Sequence, residues 1–154
     1  MTIKTVYKSV FRNGANYYSW SNISPYFPSQ LSVKYEINTK SFPIEETYLF
    51  AFEDYLFAKY LNNNVGSSQF SILRCEAEVV EYPYYVKLKD TTIYCLDVYC
   101  LDMLALNEMV KKKTFKKDLA EFFKGYPPTF EGISTAPVGT VFCEWILPLE
   151  IVPQ

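Results

Sequence analysis

Two stretches of the chain alternate between apolar and polar residues, which is typical of half-buried strands. The first spans residues 32–37 and the second spans residues 70–80. In the second stretch Arg74, Glu76 and Glu78 form a polar face. The residues predicted to face the core there are Leu73, Cys75, Ala77 and Val79. A strand with one wet face indicates an antiparallel or mixed sheet that is covered on one side.

The two ends of the chain also predict strands. Residues 2–11 mix β-branched and aromatic side chains, which favour a strand. Asn13-Gly14 follows them and is a strong signal for a hairpin turn, so residues 16–20 are predicted to return as a second strand. Residues 141–147 predict the last strand, which we expect to be interrupted at Pro148 because proline cannot donate to a sheet ladder.

Helical spacing occurs in two regions. Between residues 53 and 61, four apolar residues recur at intervals of three and four and are predicted to face the core. They are Leu56, Phe57, Tyr60 and Leu61. Residues 102–124 predict a pair of short helices, with a break near Thr114, which is a plausible N-cap.

The order of these elements predicts an α+β fold. It is a mainly antiparallel sheet with one central helix at about residues 53–61 and a pair of short helices at about residues 102–124. The length of 154 residues predicts a single domain over residues 1–154. Residues 47–80 are the clearest folding unit, and we interpret them as the scaffold for flanking elements.

Composition excludes several classes of function. The formal net charge is −2, which argues against a non-specific nucleic-acid binder. The chain has no histidine, so mechanisms that use a histidine base are impossible within it. The four cysteines form no CxxC pair and lie in apolar stretches, which predicts buried free thiols, no metal site and a reducing cytoplasm. No signal peptide or membrane segment is recognisable, so we expect a cytoplasmic protein without a membrane partner.

Two features suggest sites, and each has a simpler interpretation. Residues 111–124 hold six of the fifteen basic residues and suggest a site for phosphate or acidic groups, or else a solvated helix face. Glu144 lies mid-strand between Phe142 and Ile146 and is predicted to share one face with them, which suggests a carboxylate in a pocket, or else a charge that protects an edge strand.

A polar and aromatic group near the first hairpin predicts a ligand-binding surface. Such side chains can stack on a flat ligand and hydrogen-bond its edge. The residues assigned to this surface are Lys8, Arg12, Tyr18, Trp20 and Tyr26. The alternative is that the aromatic residues simply complete the core.

Four short motifs resemble the ADP-ribosyltransferase family. Residues 6–10 resemble its opening strand, residues 18–21 its serine-containing strand, and residues 50–60 the strand that leads into an A..Y helix. Residues 143–148 resemble the late strand that carries the catalytic glutamate. The resemblance implies NAD as cofactor and Glu144 and Ser19 as catalytic residues. Lys8 departs from the family, which has an arginine or histidine there.

The same order of motifs also resembles small uncharacterised phage and bacterial proteins. The leading hypothesis is therefore a non-enzymatic binding protein without a cofactor. It would be a phage-encoded accessory protein that engages a host protein or a small nucleotide-like ligand in the host cytoplasm. The alternatives are an NAD-using ADP-ribosyltransferase and a structural component of a virion or complex.

Overall fold

The computed structural model describes residues 2–19, 33–65, 69–80, 111–117 and 140–153. The strands are β1 (Thr2–Asn13), β2 (Asn16–Tyr18), β3 (Lys34–Tyr35), β4 (Leu49–Phe52), β5 (Phe70–Val80) and β6 (Thr140–Ile151). One helix, α1 (Tyr55–Val65), lies between β4 and β5. The remaining residues, which include Trp20, Tyr26, Cys95, Cys100 and most of the region 102–124, lie outside this description.

All strand pairs are antiparallel, as the alternating pattern predicted. The sheet order is β3-β2-β1-β4-β6-β5, and β1 also pairs with β5, so β1, β4, β6 and β5 close into a small barrel. The β1–β5 ladder is long and runs from Thr2 opposite Val79 to Phe11 opposite Phe70. The β1–β4 contact is a single pair, Tyr7 opposite Phe52, so this seam is the weakest part of the barrel wall.

The predicted hairpin between β1 and β2 is confirmed. Asn13 pairs with Asn16, which leaves Gly14 and Ala15 as the two turn residues. Gly14 has a φ of 65°, a conformation that glycine adopts without the penalty that a Cβ brings.

The inner face of β5 is as predicted. Leu73, Cys75, Ala77 and Val79 are buried in the barrel interior. The other buried members of this cluster are Val6, Val10, Tyr35, Leu49, Ala51, Val141, Cys143 and Ile146. Because side chains alternate along a strand, Lys8 shares the interior face of β1 with Val6 and Val10.

The predicted buried face of the helix is wrong at Leu56 and Tyr60, whereas Phe57 packs against a core cluster as predicted. Leu56 and Tyr60 are 69% and 57% exposed, whereas Ala58 and Asn62 are buried. Ala58 packs with Phe52 on the face of the sheet that points away from the barrel interior. The small Ala58 therefore faces the sheet together with the half-buried Phe57, and Leu56 and Tyr60 face solvent. The helix thus lies on one face, and a central position is not shown.

The predicted break near Thr114 is present in the described residues of that region. Residues 111–112 and 115–117 are helical, and Lys113 between them has a φ of 59°. The described structure is therefore mostly antiparallel sheet, with the helix α1 and a second short helical region within residues 111–117. This fits an α+β or a mainly β class.

The predicted interruption at Pro148 is wrong, since β6 continues to Ile151. Pro148 lies opposite Cys75 beside a shift in register, where the missing N–H disturbs the ladder least. Its carbonyl accepts a hydrogen bond of 2.7 Å from the N–H of Asn38.

Candidate functional site

Glu144 occupies a β-bulge in β6. Trp145 lies opposite Glu78 and Cys143 lies opposite Val79, so Glu144 is an extra residue between two consecutive pairs. An extra residue bends the strand and breaks the alternation of its side chains. The bulge is why a carboxylate is tolerated in the middle of this otherwise apolar strand.

The bulge also changes which residues share a face. Cys143 and Ile146 both belong to the barrel interior although they are three positions apart. Phe142 contacts other aromatic rings outside the interior cluster, and Glu144 contacts a lysine. The expectation that Phe142, Glu144 and Ile146 share one face is therefore wrong, because simple alternation does not anticipate a bulge.

Residues 111–117, here called the docking segment, are anchored by one aromatic side chain. Phe115 is 1% exposed. Its ring centroid lies 6.2 Å from that of Tyr48 and 6.1 Å from that of Phe50. Phe142 packs edge-on against Phe50 at 5.2 Å. Tyr48, Phe50 and Phe142 form a socket on the outer wall of the barrel, and Phe115 fills it.

An ion pair holds the docking segment beside this socket. Lys116 Nζ donates a hydrogen bond of 2.9 Å to Glu144 Oε1 and lies 4.7 Å from the ring centroid of Tyr48. Partial burial acts to lower the pKa of Lys116, but the hydrogen bond and charge of Glu144 outweigh it and the pKa is raised. Glu144 therefore has a cationic partner, and this part of the basic stretch packs against the sheet.

Ser19 has a structural partner as well. Its Oγ accepts a hydrogen bond of 2.8 Å from the N–H of Val33, and its own N–H donates to the carbonyl of Val33 at 2.9 Å. These bonds extend the pairing of β2 with β3. Glu144 lies on β6 with Lys116 as its partner, and neither of the two clefts described below is lined by Ser19 or Glu144.

Lys8 bridges the weak seam of the barrel. Its Nζ donates a hydrogen bond of 2.5 Å to the backbone carbonyl of Phe50 on β4. It also lies 5.4 Å from the centroid of the Tyr35 ring. The amine thus replaces a ladder hydrogen bond where β1 and β4 separate beyond their single backbone pair.

Burial shifts the ionisation of the groups around Lys8. Desolvation lowers the pKa of Lys8 to about 8, although the nearby Cys143 and Cys75 act to raise it. Desolvation raises the pKa of each thiol to about 12. It also raises the pKa of Tyr35 well above its ordinary value. Low polarity favours the neutral form of every group. Of these four groups, only Lys8 therefore changes charge near neutral pH.

The residues predicted to form the ligand surface are not brought together on one face. Arg12 lies opposite Tyr17 and is exposed at the end of β1. Tyr18 lies opposite Phe11, so it is on the other face of the sheet from Lys8. Trp20 and Tyr26 lie outside the described residues.

A surface cleft beside β3, here called the edge cleft, was not predicted from the sequence. Its volume is about 290 Å³. It is lined by Val33, Lys34, Glu36, Thr39, Lys40, Ser41 and Phe42. Phe42 is 61% exposed there. The only sequence signal is an aromatic residue placed before Pro43 in a polar loop, and alternation says nothing about such a position.

The base of the loop that forms the edge cleft is fixed to β6. Ser41 exchanges two backbone hydrogen bonds with Ile146, of 2.8 and 3.0 Å. Lys40 Nζ lies 3.9 Å from the ring centroid of Trp145, whose indole N–H donates to Glu78 at 2.9 Å. The cleft is therefore held in place by the barrel, while its cation and its phenylalanine lie at the surface.

A second cleft, of about 360 Å³, lies where β1 meets the start of α1. Its charged lining residues are Lys4, Glu53 and Asp54. Asp54 Oδ1 accepts a hydrogen bond of 2.8 Å from the N–H of Leu56, which caps the helix. The Asp54 carboxylate is thus engaged in local structure.

Within the described ranges, no cluster of three potential metal-ligating side chains occurs. The helices of these ranges include none that is both long and apolar enough to cross a membrane. No protein-family model, curated protein or solved structure matches this chain.

Proposed function

We propose that the protein is a non-enzymatic binding module that holds a short segment of another protein in the edge cleft. The observation that carries the proposal is Phe42, whose side chain is 61% exposed at the rim of a cleft of about 290 Å³. Phenylalanine is a large apolar side chain, and its position beside a concave surface offers a partner an apolar contact together with a cleft.

The charges of the edge cleft suggest the chemistry of that segment. Lys34 is paired with Glu36 at 3.1 Å, so those charges offset one another. Lys40 has a ring contact with Trp145 but no carboxylate partner among the described residues. A segment that places an apolar side chain on Phe42 and a carboxylate near Lys40 matches this arrangement. Such a partner is an acidic and hydrophobic peptide.

The transferase alternative gains no support from the contacts of its two key residues. Glu144 is ion-paired with Lys116, and the Ser19 hydroxyl accepts a backbone hydrogen bond from Val33. No contact among the described residues specifically supports a structural role in a larger assembly. Sedimentation of the purified protein measures it directly, because an assembling component forms large particles without a partner.

The test is selection from a random peptide library, followed by fluorescence anisotropy with the enriched peptides. Enriched sequences should combine an aromatic or aliphatic residue with Asp or Glu. Phe42→Ala should weaken their binding by at least about tenfold, as expected for a central apolar contact. Lys40→Met should weaken binding and reduce its dependence on salt.

Leu56→Ala is the matched control, since Leu56 is another exposed apolar residue, 69% accessible, on a different part of the surface. Its binding should equal that of the wild type. Selection that enriches no peptide family contradicts the proposal. So do enriched peptides that bind Phe42→Ala and the wild type equally well.

A further inference from the structure

Two polar side chains inside the barrel have fewer partners than donors. Lys8 carries three N–H donors when protonated. Among the described residues its only hydrogen-bond acceptor is the carbonyl of Phe50. The Tyr35 hydroxyl is buried and has no hydrogen-bond partner among the residues that the structure describes. The apolar interior of the barrel therefore contains two groups, the Lys8 amine and the Tyr35 hydroxyl, whose N–H and O–H donors lack acceptors among the described residues.

This arrangement is unfavourable without a compensating group. A buried charge needs a partner, and an unpaired buried hydroxyl loses the hydrogen bonds that it makes in water. The pKa of about 8 means that Lys8 still carries its proton in most molecules at neutral pH. No carboxylate forms an ion pair with Lys8 in the described parts of the chain.

We infer that Lys8 and Tyr35 form a binding site for a small carboxylate monoanion inside the barrel. One carboxylate oxygen would accept a hydrogen bond from Nζ of Lys8, and the other would accept one from the Tyr35 hydroxyl. A single negative charge balances the single ammonium, whereas a dianion would leave a net buried charge. Lys8 is half-buried, so the residue borders the protein surface as well as the barrel interior.

The neighbours of the site set its dependence on pH. The titratable groups that face Lys8 are Tyr35 on β3, Cys75 on β5 and Cys143 on β6, and Tyr17 on β2 packs against the same cluster. Cys75 and Cys143 have pKa values of about 12, and the pKa of Tyr35 is raised, so these three stay neutral when Lys8 loses its proton. Carboxylate binding should therefore weaken as pH rises through about 8.

The experiment uses sodium formate as the probe and follows thermal unfolding at constant ionic strength, with sodium chloride as the balancing salt. Formate should raise the midpoint of the wild type by several degrees and leave that of Lys8→Met unchanged. Apparent affinity for formate should be about tenfold weaker at pH 9 than at neutral pH, since about a tenth of Lys8 would then remain protonated.

Two further variants separate the site from general salt effects. Tyr35→Phe should weaken formate binding, while Lys59→Met, which removes an exposed lysine on α1, should bind like the wild type. Equal formate responses in the wild type and Lys8→Met would overturn the inference, as would an affinity that does not change with pH. This site is independent of the edge cleft, so peptide binding can fail without affecting it.

Discussion

Lys8 on β1 donates a hydrogen bond of 2.5 Å to the backbone carbonyl of Phe50 on β4. The two strands share only one backbone pair, Tyr7 with Phe52, so this side-chain bond extends the contact that closes the barrel. The position also places the amine in an apolar interior, which disfavours its charged form. One lysine therefore stabilises the seam through its hydrogen bond and opposes folding through its charge.

The stability of the protein should depend on pH through Lys8. Its pKa falls from 10.5 to about 8 on folding, chiefly because of desolvation. Between these values the unfolded chain holds a proton that the folded chain has released, so stability rises with pH across this window. The Lys8 contribution over the 2.5 units between 10.5 and about 8 amounts to about 3 kcal/mol. Urea unfolding at several pH values measures it.

Lys8→Met is the control, because its apolar side chain has no titratable group. The difference in unfolding free energy between the wild type and Lys8→Met should move in favour of the wild type as pH rises from about 8 to about 10. Subtracting the two curves cancels most of the titration of other groups. A constant difference across this range would show that the Lys8 ammonium is well solvated.

Cys75 and Cys143 should resist alkylation in the folded protein. Both are buried free thiols, and burial raises the pKa of each to about 12. Only the thiolate is nucleophilic, so a rise from 9.0 to about 12 lowers the reactive fraction roughly a thousandfold. Iodoacetamide labelling followed by peptide mass spectrometry should find both unmodified until urea is added. Rapid native labelling of either residue would contradict its burial.

The sequence predicted local structure correctly where a regular spacing of apolar residues, or a turn motif, follows directly from backbone geometry. The alternation in β5 predicted its inner face because each of those side chains points either into the barrel or away from it. The Asn-Gly pair predicted the first hairpin because Gly14 takes up a positive φ. The two-residue alternation did not predict the face of Glu144, because a bulge shifts the register there. The helical spacing did not predict the buried face of α1, where the small Ala58 rather than Leu56 faces the sheet.

The candidate sites were harder to predict because they depend on contacts between distant parts of the chain. Lys8 was assigned from the sequence to a ligand surface near the first hairpin, yet its environment comes from β3, β4, β5 and β6. The partner of Glu144, Lys116, lies on the docking segment 28 positions away in the chain. A pattern of neighbouring residues cannot predict a contact between side chains so far apart in the chain. Phe42 is a further case, since its exposure depends on how a loop is anchored to β6.

Phe115 should contribute far more to stability than the lysines beside it. It is 1% exposed and fills the socket formed by Tyr48, Phe50 and Phe142. Phe115→Ala should cost about 3 to 5 kcal/mol, because it leaves a cavity among aromatic rings. Lys113→Ala breaks only an exposed ion pair with Glu45 and should cost at most about 1 kcal/mol. Chemical unfolding compares the two, and equal costs would mean that the socket does not anchor the docking segment.

Glu144→Gln should leave the fold intact and lower stability by no more than about 1 kcal/mol. The carboxylate is partly exposed, and its ion pair with Lys116 is a half-buried contact rather than a fully desolvated one. A double-mutant cycle with Lys116→Met should give a coupling energy of similar size, because removing either partner removes the same contact.

Incubation of the wild type and Glu144→Gln with labelled NAD tests the transferase alternative. Under the proposed binding function neither protein consumes NAD. Turnover by the wild type that disappears in Glu144→Gln would instead establish the transferase, since a substitution that preserves stability can abolish activity only through the chemistry of this carboxylate.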